Sequence, residues 1–122
     1  MRELRIGWLT RDVTQQLKEG AYAFPDNSYI WIQYRDGSIG LIDMSWDGIM
    51  PSFNISKILY ITTWWQSQVG GYAELWLNPR LTKRQIEEII TDALYDEDGN
   101  RFYDKIEFDR DFDFMEYALD LY

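Results

Sequence analysis

Tyr29-Ile30-Trp31-Ile32-Gln33-Tyr34-Arg35-Asp36-Gly37-Ser38-Ile39-Gly40-Leu41-Ile42-Asp43-Met44 is the stretch whose reading sets the fold. Two alternating runs flank Asp36-Gly37, the dipeptide favoured in two-residue type I′ hairpin loops, where both central residues take positive φ. That loop would set Arg35 opposite Ser38 and put Ile30, Ile32, Tyr34, Ile39 and Leu41 on one face. The other face would carry Tyr29, Trp31, Gln33, Ile42, Met44 and Trp46. Neither face is polar, so the hairpin is expected in the middle of a sheet with both sides covered.

Upstream, Leu4, Ile6 and Trp8 alternate with Arg5 and Gly7 and read as a strand. Asp12 with Gln15 has capping-box spacing, Val13 and Leu17 lie four apart, and Gly20 is a natural stop, which predicts a helix over 13–19. Residues 21–24 read as extended and Pro25-Asp26-Asn27-Ser28 as a turn. Downstream, Asp47-Gly48 opens a loop containing Pro51. Residues 57–65 and 72–77 read as a second hairpin, turned by 66–71. Thr82 with Gln85 forms a capping box and Leu81 with Ile86 a hydrophobic staple. Ile86, Ile89, Ile90, Ala93 and Leu94 then continue at helical spacing over 83–95.

After the turn cluster Asp96-Glu97-Asp98-Gly99-Asn100, the alternation of 102–108 sends Phe102, Ile106 and Phe108 inward. It sends Tyr103, Lys105, Glu107 and Asp109 outward. Asp113 with Glu116 repeats the capping spacing ahead of a last short helix through Met115, Ala118 and Leu119. Together these elements predict one α+β domain over 1–122: a mostly antiparallel sheet of about five to six strands with two to three helices packed on it. A chain of 122 residues, 46% of them hydrophobic, can build one core.

The formal charge of −9 is a local property. Residues 92–122 hold eleven carboxylates against three basic side chains, whereas residues 1–91 hold ten against nine. Phe and Tyr are interleaved with the terminal carboxylates, which a disordered acidic tail would lack. With a pI of about 4.3, direct binding to nucleic acid is disfavoured and a basic protein partner favoured. On an extended chain, Glu107, Asp109, Asp111 and Asp113 would recur every ~6.6 to 6.8 Å, near the spacing of phosphates along a nucleic-acid strand. The expected partner-binding residues are therefore Asp96, Glu97, Asp98, Tyr103, Asp104, Glu107, Asp109, Asp111, Asp113 and Glu116. Trp64 and Trp65 join them because adjacent strand residues point to opposite faces, and one of the pair must leave the main core.

The absence of His and Cys removes histidine-based triads, thiolate nucleophiles and His- or Cys-ligated zinc. No catalytic residue, cofactor or metal is expected. Aligning Gly99 with the sixth position of a calcium-binding loop puts Leu94 first and Lys105 last, where carboxylates are needed. Gly70-Gly71 lacks the flanking Gly and Lys of a phosphate cradle. The opening Met1-Arg2-Glu3-Leu4-Arg5 has no apolar run like that of a signal peptide, and a cytoplasmic protein without membrane contact is expected.

Small size, no Cys or His, low pI and the carboxylates interleaved with aromatics over 92–122 resemble the small acidic proteins of phages and mobile elements that inhibit nucleases, of the anti-CRISPR and anti-restriction type. Immunity proteins that neutralise nuclease toxins share that composition. The resemblance implies a non-enzymatic inhibitor of a basic nuclease or CRISPR effector, acting in the host cytoplasm, with nucleic-acid mimicry as one mode of action. The alternative is an assembly module, a homo-oligomer among its forms, that associates through exposed aromatics.

Overall fold

The structure is a computed structural model that describes residues 2–20, 28–43, 54–67 and 70–113. The expected extended segment at 21–24, the Pro51 loop and the last helix with Glu116 lie outside those residues. Six strands form one sheet: β1 (Arg2–Trp8), β2 (Ser28–Tyr34), β3 (Ile39–Asp43), β4 (Ile58–Ser67), β5 (Gly70–Leu77) and β6 (Lys105–Phe108). Two helices, α1 (Arg11–Gly20) and α2 (Lys83–Leu94), accompany it. The α+β class holds, but the sheet is mixed. In the order β3-β2-β4-β5-β1-β6, the first three pairings are antiparallel and the last two, β5 with β1 and β1 with β6, are parallel.

The parallel pairs explain why the helices lie on opposite faces. The β1-α1-β2 connection steps three places one way and β5-α2-β6 two places the other. Crossovers stepping in opposite directions share one hand only if their helices pack on opposite sides. Accordingly, α2 buries Ile86, Ile90 and Leu94 on Leu4, Ile6 and Leu75. Leu9 and Val13, at the start of α1, meet Ile30, Ile32, Ile61 and Trp76 on the reverse face. Each fully buried Leu or Ile here contributes about 1.5–3 kcal/mol.

The caps follow the sequence in one helix and depart from it in the other. At α2 both halves of the Thr82–Gln85 capping box are made, with Leu81 and Ile86 buried in the same cluster. At α1 the cap is Thr10, whose Oγ1 accepts from Val13 N at 3.1 Å. The helix therefore starts ahead of Asp12, which falls in the first turn, where a carboxylate complements the helix dipole. The β4-β5 ladder also runs through Gln66↔Gly71 to Ser67↔Gly70, so residues 66, 67, 70 and 71 of the expected turn belong to the ladder. Ser28, expected in a turn, opens β2.

The β2-β3 hairpin is displaced by one residue from the expected register. Gln33 pairs with Ile39 and Trp31 with Leu41, and Tyr34 N donates to Ser38 O at 3.0 Å, which leaves Arg35-Asp36-Gly37 as a three-residue loop. Gly37 has φ +89°, and among the described residues no non-glycine has positive φ. Asp36 therefore cannot take the type I′ conformation, and the turn ends instead on one left-handed residue. Asp36 Oδ1 accepts from Ser38 N at 2.8 Å and from Ser38 Oγ at 2.5 Å, which holds that geometry. The slip moves Ile39 and Leu41 onto the face of Trp31 and Gln33, away from Ile30 and Ile32. Nothing lies near the position of a Gly37 Cβ, so Gly37→Ala isolates the backbone cost: a loss of about 1 kcal/mol in urea unfolding is expected.

Candidate functional site: an aromatic groove beside α2

The displaced register leaves an apolar surface uncovered by any described residue. α2 lies over β5, β1 and β6 but stops short of the other half of its face. There Trp31, Ile39 and Leu41 are 37%, 53% and 60% exposed. A groove of about 560 Å³ opens between this surface and the helix. Its floor is Trp31, Leu41, Tyr60, Thr62 and Trp64, and its wall is Ile89 and Ala93. Strand register puts the floor residues side by side, with Leu41 opposite Trp31 and Trp31 opposite Thr62. Asp92 is the one charged side chain among the described residues that line it.

Tyr60 ties the floor to that lip. Burial raises its phenol pKa, a hydrogen bond with the Trp31 side chain lowers it, and the Asp92 carboxylate raises it again. Tyr103 closes the inner end. It is buried, with its pKa raised by desolvation, and it meets Phe102 edge-on at 5.1 Å. Its expected outward position is therefore a miss. β6 begins only at Lys105, so the alternation counted from Phe102 does not run through Tyr103 and Asp104.

The remaining expected residues divide among separate places. Asp96, Glu97 and Asp98 are exposed in the turn just beyond the end of α2, after the extended Tyr95. Asp96 Oδ1 accepts from Asp98 N and Asn100 N at 3.0 and 2.8 Å. Asp104 accepts from Arg2 N at 2.9 Å, beside an Arg2 guanidinium 4.2 Å above the Phe102 ring. Among the described residues no three acidic side chains are placed to hold a metal ion, and no helix is long and apolar enough to cross a membrane.

Glu107 and Asp109 belong to the opposite face, on the half α1 leaves free. Arg5 is in register with Glu74 on one side and Glu107 on the other. Lys105 Nζ lies 2.8 Å from Glu107 Oε1, and that hydrogen bond holds the Glu107 carboxyl below its ordinary pKa. The expected extended row of carboxylates ends here. After Phe108 the chain turns: Phe112 N donates to Asp109 O at 2.8 Å and Asp111 N to Asp109 Oδ1 at 3.1 Å. Asp111 and Asp113 are exposed past that turn, and Phe112 stacks on Trp8 at 4.8 Å. An Asp side chain that binds a backbone N–H two residues on competes with extension.

No protein-family model, curated protein or solved structure matches the chain. The site must be read from its own geometry.

Of the expected aromatic pair, Trp64 lines the groove. Trp65 pairs with Tyr72 in the ladder, and its side chain is outside the described part. Sequence reasoning missed Trp31, Leu41, Tyr60 and Asp92. The available signal was the hairpin's two apolar faces together with the narrow stripe of α2. That helix cannot shield a six-stranded sheet alone.

Glu74 supplies a pH test of the reverse face. Burial raises its carboxyl pKa, against lowering by the Thr63 hydrogen bond (3.3 Å) and Arg5. A carboxyl whose folded pKa lies above its unfolded one binds protons more tightly in the native state. Its contribution is then favourable in acid and is lost as pH rises from the unfolded value through the raised one. Glu74→Gln should flatten that part of a stability–pH profile above the ordinary 4.5. It should leave the variant at least as stable as the parent at neutral pH.

Proposed function

We propose that this chain is a non-enzymatic acidic binding protein that blocks a basic protein partner. The partner would seat apolar side chains in the groove beside α2 while its cations face Asp92 and the 96–98 turn. The observation that carries this reading is the exposure of Trp31 and Leu41, with Ile39 next to them on the same face, at a groove whose sole charged liner among the described residues is an acid. Aromatic anchors in a pocket supply most of the energy of a protein interface, and surrounding charge speeds the encounter and selects the partner. Nucleases and other nucleic-acid-binding proteins are the partner class that the compositional resemblance implies, since their basic grooves complement a chain of charge −9. Mimicry by a straight row of carboxylates has no support, because the chain turns at Asp109.

Capture of basic proteins by the immobilised chain tests this, with Trp31→Ala and Asp96→Asn/Glu97→Gln/Asp98→Asn compared with the parent at low and high salt. Captured proteins should be basic, lost from the Trp31 variant at every salt, and reduced at low salt for the acidic triple variant. Capture indifferent to Trp31 would remove the groove from the reading. A second reading, self-association through the same surface, is favoured by the uncharged exposed residues of edge strand β3. It requires a concentration-dependent mass that survives high salt.

A further inference from the structure

Resting on the groove reading above, we infer that the occupant is a single cationic amphipathic helix of a partner protein, laid beside α2 on the uncovered strands. The width of the vacancy points to it. β2 and β3 carry no described helix on this face, and β4 is only partly covered, its Tyr60 and Trp64 touching the cluster under α2; two to three strands at about 4.8 Å spacing make a bed ~10–14 Å wide, the width of one helix, ~10–12 Å across with its side chains. β2 has seven residues, about 23 Å at strand rise, which matches a helix of about 15 residues. The neighbouring bed is filled in the same manner by α2 itself, through Ile86, Ile90 and Leu94. A second helix would complete the layer, with residues at i, i+3, i+4 and i+7 reaching Trp31, Leu41 and Trp64.

Charge selects among possible occupants. A second copy brings another −9 to a lip formed by Asp92 and followed by Asp96, Glu97 and Asp98, whereas lysines or arginines on the helix flank complement it. A strand added at the edge of β3 would pair backbone groups but leave the aromatic floor uncovered.

The test uses the full chain and three labelled peptides of about 15 residues: leucine/lysine with helical apolar spacing, the same with glutamate for lysine, and leucine/lysine in strict alternation. Fluorescence anisotropy reads affinity. The helical lysine peptide should bind, weaken about tenfold or more with Trp31→Ala, weaken several-fold with Asp92→Asn, and be unaffected by Asp111→Asn/Asp113→Asn. Circular dichroism of each variant alone checks that it is folded. Tighter binding of the alternating peptide, with the same variant dependence, overturns the helical occupant and leaves the cationic groove standing. Equal binding of the glutamate peptide overturns the charge assignment. Binding of neither lysine peptide defeats the inference and the groove reading together. A parent dimer that Trp31→Ala converts to monomer assigns the groove to a second copy and overturns the inference.

Discussion

Ile6→Ala is expected to lower the unfolding free energy by about 4 kcal/mol, within the 2–5 kcal/mol range of buried large-to-Ala changes. Ile6 is fully buried, and its register partners are Leu75 on β5 and Phe108 on β6. It belongs to the cluster that seats α2, so truncation removes apolar contact and leaves a space that two hydrogen-bonded neighbouring strands cannot close. Since small domains have only about 5–15 kcal/mol in total, the urea midpoint should fall steeply. Ile39→Ala, in the exposed part of β3, should stay within about 0.5 kcal/mol of the parent. Equal losses at the two sites would mean that the covered and uncovered halves of the α2 face are wrongly assigned.

Gly7→Val should cost about 3 kcal/mol for the opposite reason, overpacking. The Trp76 indole lies against Gly7, and a Cβ there would fall 2.5 Å from Cζ3 and 2.9 Å from Cε3, with the Asp109 Cβ at 3.0 Å. Trp76 is itself buried among Leu9, Ile58 and Ile61, so the ring can make room only by displacing the cluster under α1. Gly40→Ala is the comparison, because its added Cβ would come nearest the Tyr34 ring, at 3.3 Å, with Ile32 Cβ at an ordinary 3.6 Å, and Tyr34 is part-exposed. A loss for Gly7→Val no larger than for Gly40→Ala would show that the indole yields freely.

These two neighbours on β1 illustrate what could be read in advance. The alternation of Leu4, Ile6 and Trp8 marked a strand with one apolar face, and that face is the one α2 covers. The same alternation does not distinguish parallel from antiparallel neighbours, so the mixed sheet was invisible until β5 and β6 flanked β1. At α2 the sequence was explicit because capping and periodicity coincide at Thr82, Gln85 and Ile86. At the β2-β3 loop Asp36-Gly37 is compatible with two turn lengths. The choice depends on whether Asp36 also adopts positive φ, a matter settled by its bond to Ser38.

The extended row of carboxylates was misread for a related reason. Counting carboxylates gave their number but not their company. Arg5 and Lys105 flank Glu107, Arg2 N meets Asp104, and Asp109 turns the chain through its own side chain. Asp96, Glu97 and Asp98 stay exposed together in the turn that follows α2, and Asp111 and Asp113 are exposed separately beyond Asp109, so the acids do not form one row. Exposed apolar residues carry more of the account than the charge that first draws notice. The hairpin's second apolar face, expected to be covered, is where the proposed binding surface lies.

The most direct measurement is backbone amide hydrogen exchange of the full chain with and without the helical leucine/lysine peptide. Protection is predicted at Trp31, Leu41, Thr62 and Ala93, around the groove, with Asp109, Asp111 and Asp113 unchanged. Protection confined to 109–113, with the groove exchanging as before, would contradict the account.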